Sequence, residues 1–197
     1  MYLVFLRNEI GTLMSGNEPL VLELMDLLRV ENVITDDISL KVYECDGAEF
    51  FKALPDVVVF PDSAEEISKI VKLANKYNKP YIACGAGTGL SGRTLPINAG
   101  IMIAMNKMNR ILGVDLENRQ AIIEPGVVNL MLTQVVQDQG YHYAPAPSSQ
   151  QACSIGGNIA ENSGGTHTLK YGVTTNHILG MEVVLPSGEI IEFGRAD

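Results

Sequence analysis

Apolar residues recur at helical spacing in three stretches of the chain. The first covers residues 17 to 29, with Asn17 suited to the N-cap. The second starts at the capping-box pair Ser63 and Glu66 and continues to about residue 78. The third starts near residue 129 and stops at Gly140. The predicted core-facing positions are Leu20, Leu24, Leu27, Leu28, Ile67, Ile70, Val71, Ala74, Leu132, Val135 and Val136.

Short apolar runs bounded by turn residues predict strands between and after these helices. Two of them flank the second helix and give a strand–helix–strand crossover unit. The last two surround a Pro-Ser-Gly turn and predict a hairpin. The predicted strands cover residues 56–60, 81–84, 101–104, 111–115, 120–124, 181–185 and 189–193.

Composition fits a folded chain of one domain or two small ones. Of the 197 residues, 46% are hydrophobic and 19% are charged, which provides material for a sizeable core. The formal net charge of −9 argues against nucleic acid or an anionic membrane surface as a partner, because both bind basic faces. Any phosphate must therefore be held by local N–H dipoles.

The cysteines and the first residues bear on location. Cys45, Cys84 and Cys153 are scattered and form no C-x-x-C motif, so neither a zinc site nor an iron–sulfur site is expected, and no metal ligand is assigned. A reducing cytoplasm is the simplest setting. The apolar run of residues 1–6 is too short for a membrane span and lacks the features of a signal peptide.

A glycine-rich loop follows the second strand of the crossover unit. After residues 81–84 come Gly85, Gly87, Gly89 and Gly92. Glycine allows positive φ and lets another molecule lie against the backbone. Successive N–H groups in such a loop can form an anion-binding concavity. The loop also lies at the carboxyl end of a strand, where ligands bind in open α/β sheets.

Four interpretations of this loop compete. A P-loop requires Gly-Lys-Ser/Thr, but Arg93 and Thr94 follow Gly92. The dinucleotide fingerprint G-x-G-x-x-G is present, but Pro96 and Gly100 break any helix that would have to open on it, so an NAD-binding Rossmann protein ranks low. A loop that wraps a pyrophosphate without a helix behind it and an ordinary connection both remain.

A second glycine segment spans residues 153–165. It contains two glycine pairs, Gly156-Gly157 and Gly164-Gly165, about 70 residues after the first loop. Such pairs cost backbone entropy unless something must lie close to the main chain. We interpret the two segments as the walls of one cleft that holds a long ligand with a charged middle.

The ordered set of motifs resembles the FAD-binding domain of the vanillyl-alcohol-oxidase and para-cresol-methylhydroxylase (PCMH) type. Within that type, it is most similar to the glycolate oxidase FAD-linked subunit and the D-lactate dehydrogenases. The resemblance covers about residues 40 to 197. It is carried by Asp56-Val-Val-Val-Phe-Pro61, residues 84–92, Ile155-Gly-Gly-Asn-Ile-Ala160, Asn162-Ser-Gly-Gly165, Lys170-Tyr-Gly172 and residues 180–188.

The resemblance implies an α+β fold with two α/β subdomains and the FAD cleft between them, truncated before the cap domain. It implies an N-terminal helix and leader over residues 1–52, and an FAD-binding PCMH-type domain over residues 53–197. Within that domain the subdomains would cover about 53–106 and, incompletely, 107–197. The chain would be part of a flavoprotein oxidoreductase that acts on the CH–OH group of glycolate, D-lactate or a similar 2-hydroxy acid.

The resemblance also implies the residues that contact FAD. The first loop would hold the pyrophosphate, and the second segment would line the pyrophosphate, the ribityl chain and the flavin. Relatives with a covalent flavin at the first loop carry a histidine there. This chain has none between Ile82 and Arg93, so FAD is expected to be non-covalent. The implied contacts are Gly85, Ala86, Gly87, Thr88, Gly89, Leu90, Ser91, Gly92, Pro147, Cys153, Ser154, Gly156, Gly157, Asn158, Ala160, Ser163, Gly164, Gly165, Tyr171 and Gly172.

No catalytic residue is assigned, because the acid–base and substrate-binding groups of the relatives lie in segments beyond position 197. The chain alone is expected to be inactive, either as part of a longer enzyme or as a split subunit. An iron–sulfur subunit or a cap-bearing subunit is the implied partner. The alternative function is a flavin-binding module without activity of its own. His167, just after Gly165, is a candidate flavin neighbour, and Arg93 is either a phosphate contact or a solvent-exposed loop residue.

Overall fold

The computed structural model describes residues 18–48 and 50–194, and the expected cap Asn17 lies outside them. The helices are α1 (Glu18–Leu28), α2 (Asp37–Leu40), α3 (Ala64–Lys76), α4 (Asn129–Val136), α5 (Ile155–Glu161) and α6 (Thr168–Tyr171). The strands are β1 (Val33–Ile34), β2 (Val57–Val59), β3 (Tyr81–Cys84), β4 (Ile101–Ala104), β5 (Ile111–Asp115), β6 (Gln120–Ile123), β7 (Gly180–Val184) and β8 (Ile190–Gly194). All seven strands expected from the sequence are present within a residue or two.

A four-stranded sheet with the order β1-β2-β4-β3 forms the first half of the molecule. β2, β4 and β3 are parallel, and β1 is antiparallel at the edge. The crossover unit β2–α3–β3 is confirmed, but β4 inserts between its two strands. Because β2 and β4 are covered on both faces, Val57–Val59 and Ile101–Ala104 are continuous apolar runs, as is typical of central parallel strands.

Helices α1 and α3 pack on this sheet in one apolar cluster. Leu20, Leu24 and Leu28 of α1 are buried with Ile70 and Ala74 of α3 against the sheet. Ser63 caps α3 by accepting from the Glu66 N–H at 3.2 Å, and the Glu66 carboxylate accepts from the Asp62 N–H at 2.7 Å. The reciprocal bond of the capping box is therefore displaced by one residue. Helix α1 is part of the main core.

The second half contains the β5–β6 hairpin and helices α4 and α5. Val127, Leu132 and Ile155 form its apolar centre. Gly140 ends the α4 region with a left-handed φ of 80°, as expected. Val135 was predicted to face the core and is instead 51% exposed. Asn129 takes an inward position of α4, because its amide is needed for a buried hydrogen-bond network described below.

The β7–β8 hairpin, predicted from the sequence, packs back on α3. The Ser68 hydroxyl donates to the Gly188 carbonyl, and the Asn75 side chain donates to the Pro186 carbonyl at 2.8 Å. Val184 joins the apolar cluster of α1 and α3. The last strands are thus attached to the first crossover unit. Within the described residues, no helix has the length and apolar character needed to cross a bilayer.

Candidate cofactor-binding site

The glycine-rich loop leaves β3 and is followed by turns. Residues 93–100 contain no helix, so the helix that a dinucleotide fingerprint requires is absent from this part of the described chain. Gly87 and Gly92 have φ values of 64° and 67°, in the left-handed region that favours glycine. The NAD-binding interpretation therefore loses its structural basis.

The peptide planes of this loop have one orientation. The Gly47 N–H donates to the Gly87 carbonyl at 2.9 Å, and the carbonyls of Thr88 and Gly89 lie 3.1 and 3.0 Å from where a Cβ on Gly47 would stand. In a trans peptide the C=O and N–H point in opposite directions. The N–H groups of residues 88–90 therefore point away from Gly47. Among the described residues, none accepts a hydrogen bond from the N–H of residues 88–91.

Gly89 has no internal reason to be glycine. Its φ lies outside the left-handed region, and an added Cβ would meet no heavy atom of the described chain within 4 Å. The space beside its Cα is open, next to the outward N–H groups. This arrangement suits a ligand that lies close to the backbone and accepts hydrogen bonds.

The second glycine segment contains a short helix. Gly156 and Gly157 lie within helix α5, which Ser154 caps by accepting from the Gly157 N–H at 3.2 Å. A Cβ on Gly156 would come within 2.6 Å of Pro125, so this glycine is required for packing. The glycine pair thus lies in the first turn of a helix. The sequence did not predict this helix, because glycine disfavours helical backbone.

The two segments meet at their starts. A Cβ on Gly85 would collide with the Ser154 hydroxyl and would lie 3.6 Å from the Gly157 Cα. Farther along, the Arg93 guanidinium lies 3.6 Å from the Glu161 carboxylate, so Arg93 has a protein partner. A cavity of about 250 Å³ opens beside the junction and is lined by Gly85, Ala86, Met105, Asn106, Asn109, Gly126, Val128, Met131, Ala152 and Ser154.

Cys153 and Asn158 support this junction from behind. The Asn158 side chain donates to Asn129 Oδ1 at 2.9 Å and to Cys153 Sγ at 3.4 Å. Asn129 in turn donates to the Pro145 carbonyl at 3.0 Å. The side chains of Asn158, Asn129 and Cys153 are buried, and we therefore assign them to holding α4 and α5 together. Burial also raises the pKa of the thiol of Cys84, at the end of β3.

An open groove of about 710 Å³ lies beside the end of the second segment. Ala146, Pro147, Ser148 and Gln150 form one side, and residues 163–166 form the other. Gly165 has a φ of 133° and packs against the backbone of Ala146 and Pro147, where a Cβ would collide. Pro147, Ser163, Gly164 and Gly165 therefore line one groove.

The remaining expected contacts lie around this groove or outside it. The rings of Tyr171, His142 and His167 meet edge to face, with centroids 6.0 to 6.4 Å apart. His167 Nδ1 lies 3.0 Å from the Ala144 carbonyl. Gly172 has a φ of 84° and ends α6. Ala160 is exposed on α5 and lines neither cavity.

Comparison with known proteins identifies this arrangement. Residues 55–194 match the family described as FAD binding domain. The chain belongs to this family. It is 41% identical over 162 residues to the glycolate oxidase subunit GlcD of Escherichia coli K12, covering 82% of this chain and 32% of GlcD. It is 41% identical over 162 residues to a D-lactate dehydrogenase of Anaerostipes hadrus, covering 82% of this chain and 34% of that protein.

The fold of the FAD-binding domain is also that of a solved flavoenzyme. The structure of p-cresol methylhydroxylase with bound substrate superposes with a TM-score of 0.75 at 23% identity, over 92% of this chain and 36% of that one. The expected α+β fold of the PCMH type is confirmed. The chain spans about a third of the length of the curated relatives.

The residues of the FAD-binding domain fit its cofactor. FAD carries a pyrophosphate, which accepts hydrogen bonds, and the outward N–H groups of residues 88–90 are donors without an acceptor among the described residues. No group of three or more His, Cys, Asp or Glu side chains within residues 18–48 and 50–194 is placed to hold a metal ion.

Sequence reasoning missed two sets of residues at this site. Asp46 and Gly47 contact the glycine loop, and in the sequence an Asp-Gly dipeptide indicates only a turn. Met105, Asn106, Asn109 and Gly126 line the cavity beside Gly85. No local pattern marks these four, because three of them lie in the connection between β4 and β5 and Gly126 follows β6, and only tertiary packing brings them to the cavity.

Proposed function

We propose that this FAD-binding domain holds FAD non-covalently, with the pyrophosphate against the N–H groups of residues 88–91. The single observation that carries this proposal is the open, N–H-lined backbone around Gly89. Residues of the glycine segments line both cavities: Gly85 and Ser154 border the first, and Gly164 borders the groove beside Pro147. Together they provide room for the two ends of a long cofactor.

The attachment is non-covalent because no histidine lies between Ile82 and Arg93, the loop where covalently flavinylated members of this type carry one. The other residues proposed to contact FAD are those of the two segments, together with Tyr171 and Gly172 beyond α6. Cys153 and Asn158 contribute through the buried network. Cys45, Cys84 and Cys153 are free thiols, which supports a reducing location such as the cytoplasm.

For the whole protein, we propose oxidation of a 2-hydroxy acid to the corresponding 2-keto acid. The support is the resemblance to proteins named glycolate oxidase subunit and D-lactate dehydrogenase. When bound, FAD supplies the two-electron acceptor for such a reaction. The residues of this chain bind and orient the cofactor, and their N–H groups compensate the charge of its pyrophosphate.

The second candidate function is a flavin-binding module that becomes active only with further protein. One observation favours it: within the described chain, no ionisable side chain lines either cavity. A general base for the substrate hydroxyl and a cation for its carboxylate would come from a cap-bearing segment or subunit. An iron–sulfur subunit would be a suitable acceptor for the electrons.

The test is a titration of the purified, flavin-free protein with FAD, followed by fluorescence. Gly89→Ala should weaken FAD binding at least tenfold, because the added methyl group occupies the space between cofactor and backbone. Its unfolding midpoint should remain unchanged, because the methyl group meets no heavy atom of residues 18–48 and 50–194 within 4 Å.

Gly113→Ala is the matched control. Gly113 lies in β5, outside both cavities, and an added Cβ there also meets nothing within 4 Å. It should bind FAD like the unaltered protein. Absence of FAD binding by the unaltered chain, or equal affinity of both variants, would contradict the proposed site.

A further inference from the structure

We propose that Asp46 and Gly47 are positioning residues that hold the glycine loop in its FAD-binding shape. Both precede the family match, which begins at residue 55. The inference rests on the proposed function, because it assigns these residues to the same pyrophosphate site. It extends that site into a part of the chain that the family match leaves out.

Asp46 uses both carboxylate oxygens on backbone N–H groups. Oδ2 accepts from the Gly92 N–H at 2.9 Å, and Oδ1 accepts from the Ala48 N–H at 2.9 Å. The residue is only 6% exposed. Two part-buried donors are each satisfied by a separate oxygen of one short side chain, and aspartate has two acceptor oxygens where asparagine has one. This explains why a carboxylate occupies the position.

Gly47 holds the other end of the same loop. Its N–H donates to the Gly87 carbonyl at 2.9 Å. Its missing side chain lets the Thr88 and Gly89 carbonyls come close, since a Cβ would lie 3.1 and 3.0 Å from them. These distances are tighter than ordinary contacts, so a larger residue would push the loop outward.

The two contacts together determine which way the loop faces. Asp46 fixes Gly92, and Gly47 fixes Gly87, so the four residues between these anchors, 88–91, are held at both ends. With its carbonyls turned to Gly47, the loop presents its N–H groups to the cofactor side. Without the anchors, glycine-rich backbone would sample many conformations, and FAD binding would have to order it.

The experiment compares three variants of the 197-residue chain. Asp46→Ala removes both acceptors, Asp46→Asn keeps one, and Gly47→Ala alters the spacing without touching the carboxylate. We expect at least tenfold weaker FAD binding for Asp46→Ala and Gly47→Ala, and an intermediate loss for Asp46→Asn. Asp36→Ala is the matched control, because Asp36 also accepts a backbone N–H, from Ser39 at 2.9 Å, but caps α2 away from the loop. Its FAD affinity should stay within twofold.

A second measurement does not depend on FAD. In the flavin-free protein, the Gly92 amide should be protected from hydrogen exchange, and Asp46→Ala should speed its exchange at least tenfold, while Asp36→Ala should leave it unchanged. A Gly92 amide that exchanges freely in the unaltered protein would overturn the inference. So would FAD affinity of the Asp46 and Gly47 variants equal to that of the control. Failure of the unaltered chain to bind FAD, with Gly92 protected, would instead overturn the proposed function.

Discussion

At the scale of single residues, the glycines of the two segments have different roles, although the sequence alone does not distinguish them. Gly156, Gly164 and Gly165 are explained by contacts with Pro125, Thr168 and Ala146. Gly89 is explained by no contact within the described chain. The glycine pairs predicted that another group lies close to the main chain. They did not show whether that group belongs to a ligand or to the protein, because the neighbours of each glycine come from segments remote in the chain.

Tyr143 provides a prediction at this scale. Its hydroxyl is buried and has no hydrogen-bond partner among the described residues. Tyr143→Phe should therefore leave the free energy of unfolding at pH 7 unchanged or raise it by up to about 1 kcal/mol, since no bond is lost and an unsatisfied group is removed. Urea unfolding measures this change. A loss of more than about 1 kcal/mol would show that the hydroxyl has a partner.

The same variant should change the response to alkali. Burial raises the pKa of Tyr143 to about 12, above its ordinary value of 10.0. Between these values the unfolded chain releases the proton while the folded chain retains it, so stability falls as pH rises from 10 to 12. Below pH 10 this group contributes no pH dependence. Tyr143→Phe should reduce the decline, and Tyr141→Phe, at a nearby position that is 38% exposed, provides a matched comparison.

At the scale of elements, the sequence indicated which helices and strands form but not how they are arranged. The alternation of helical and strand patterns predicted α1, α3, α4 and all seven expected strands. Nothing local indicated that β4 enters the sheet between β2 and β3, because strand order is decided by packing of distant segments. Helix α5 was missed because glycine lowers helix propensity. Its Ser154 cap and its contact with Pro125 override that preference.

Helix α1 provides the prediction for elements. Leu24 is 0% exposed in the cluster that α1 shares with α3, although it precedes the family match. Leu24→Ala should lower the free energy of unfolding by about 2–5 kcal/mol, through lost burial and a residual cavity. Leu22→Ala on the same helix, at a position 53% exposed, should change it by less than about 0.5 kcal/mol. Equal effects in denaturant titrations would show that α1 is not part of the core.

At the scale of the whole molecule, an acidic chain is expected to bind an anionic group. The net charge of −9 repels a pyrophosphate at long range, so attraction must come from the oriented peptide groups of the loop. Salt screens this long-range repulsion between the acidic chain and the pyrophosphate more than it weakens the short hydrogen bonds from the loop. Family membership and fold followed from the ordered motifs of the sequence.

A 2-hydroxy acid should not reduce FAD that is bound to this chain alone. The FAD-loaded 197-residue chain, mixed with glycolate or D-lactate without oxygen, should retain the absorbance of oxidised flavin. The physical reason is that no ionisable side chain of the described residues lines either cavity. Dithionite, which needs no active-site group, should bleach the same sample and serves as the control. Bleaching by either acid would show that this chain holds a complete active site.

The attachment of the β7–β8 hairpin to α3 affects how the polypeptide matures on the ribosome. Ser68 meets the carbonyl of Gly188, 120 positions later in synthesis. At usual elongation rates, α3 would wait roughly ten seconds for this partner to be made. During that interval the nascent chain displays the surface that Val184 later covers. We therefore expect stalled chains that end before residue 180 to be preferred chaperone clients.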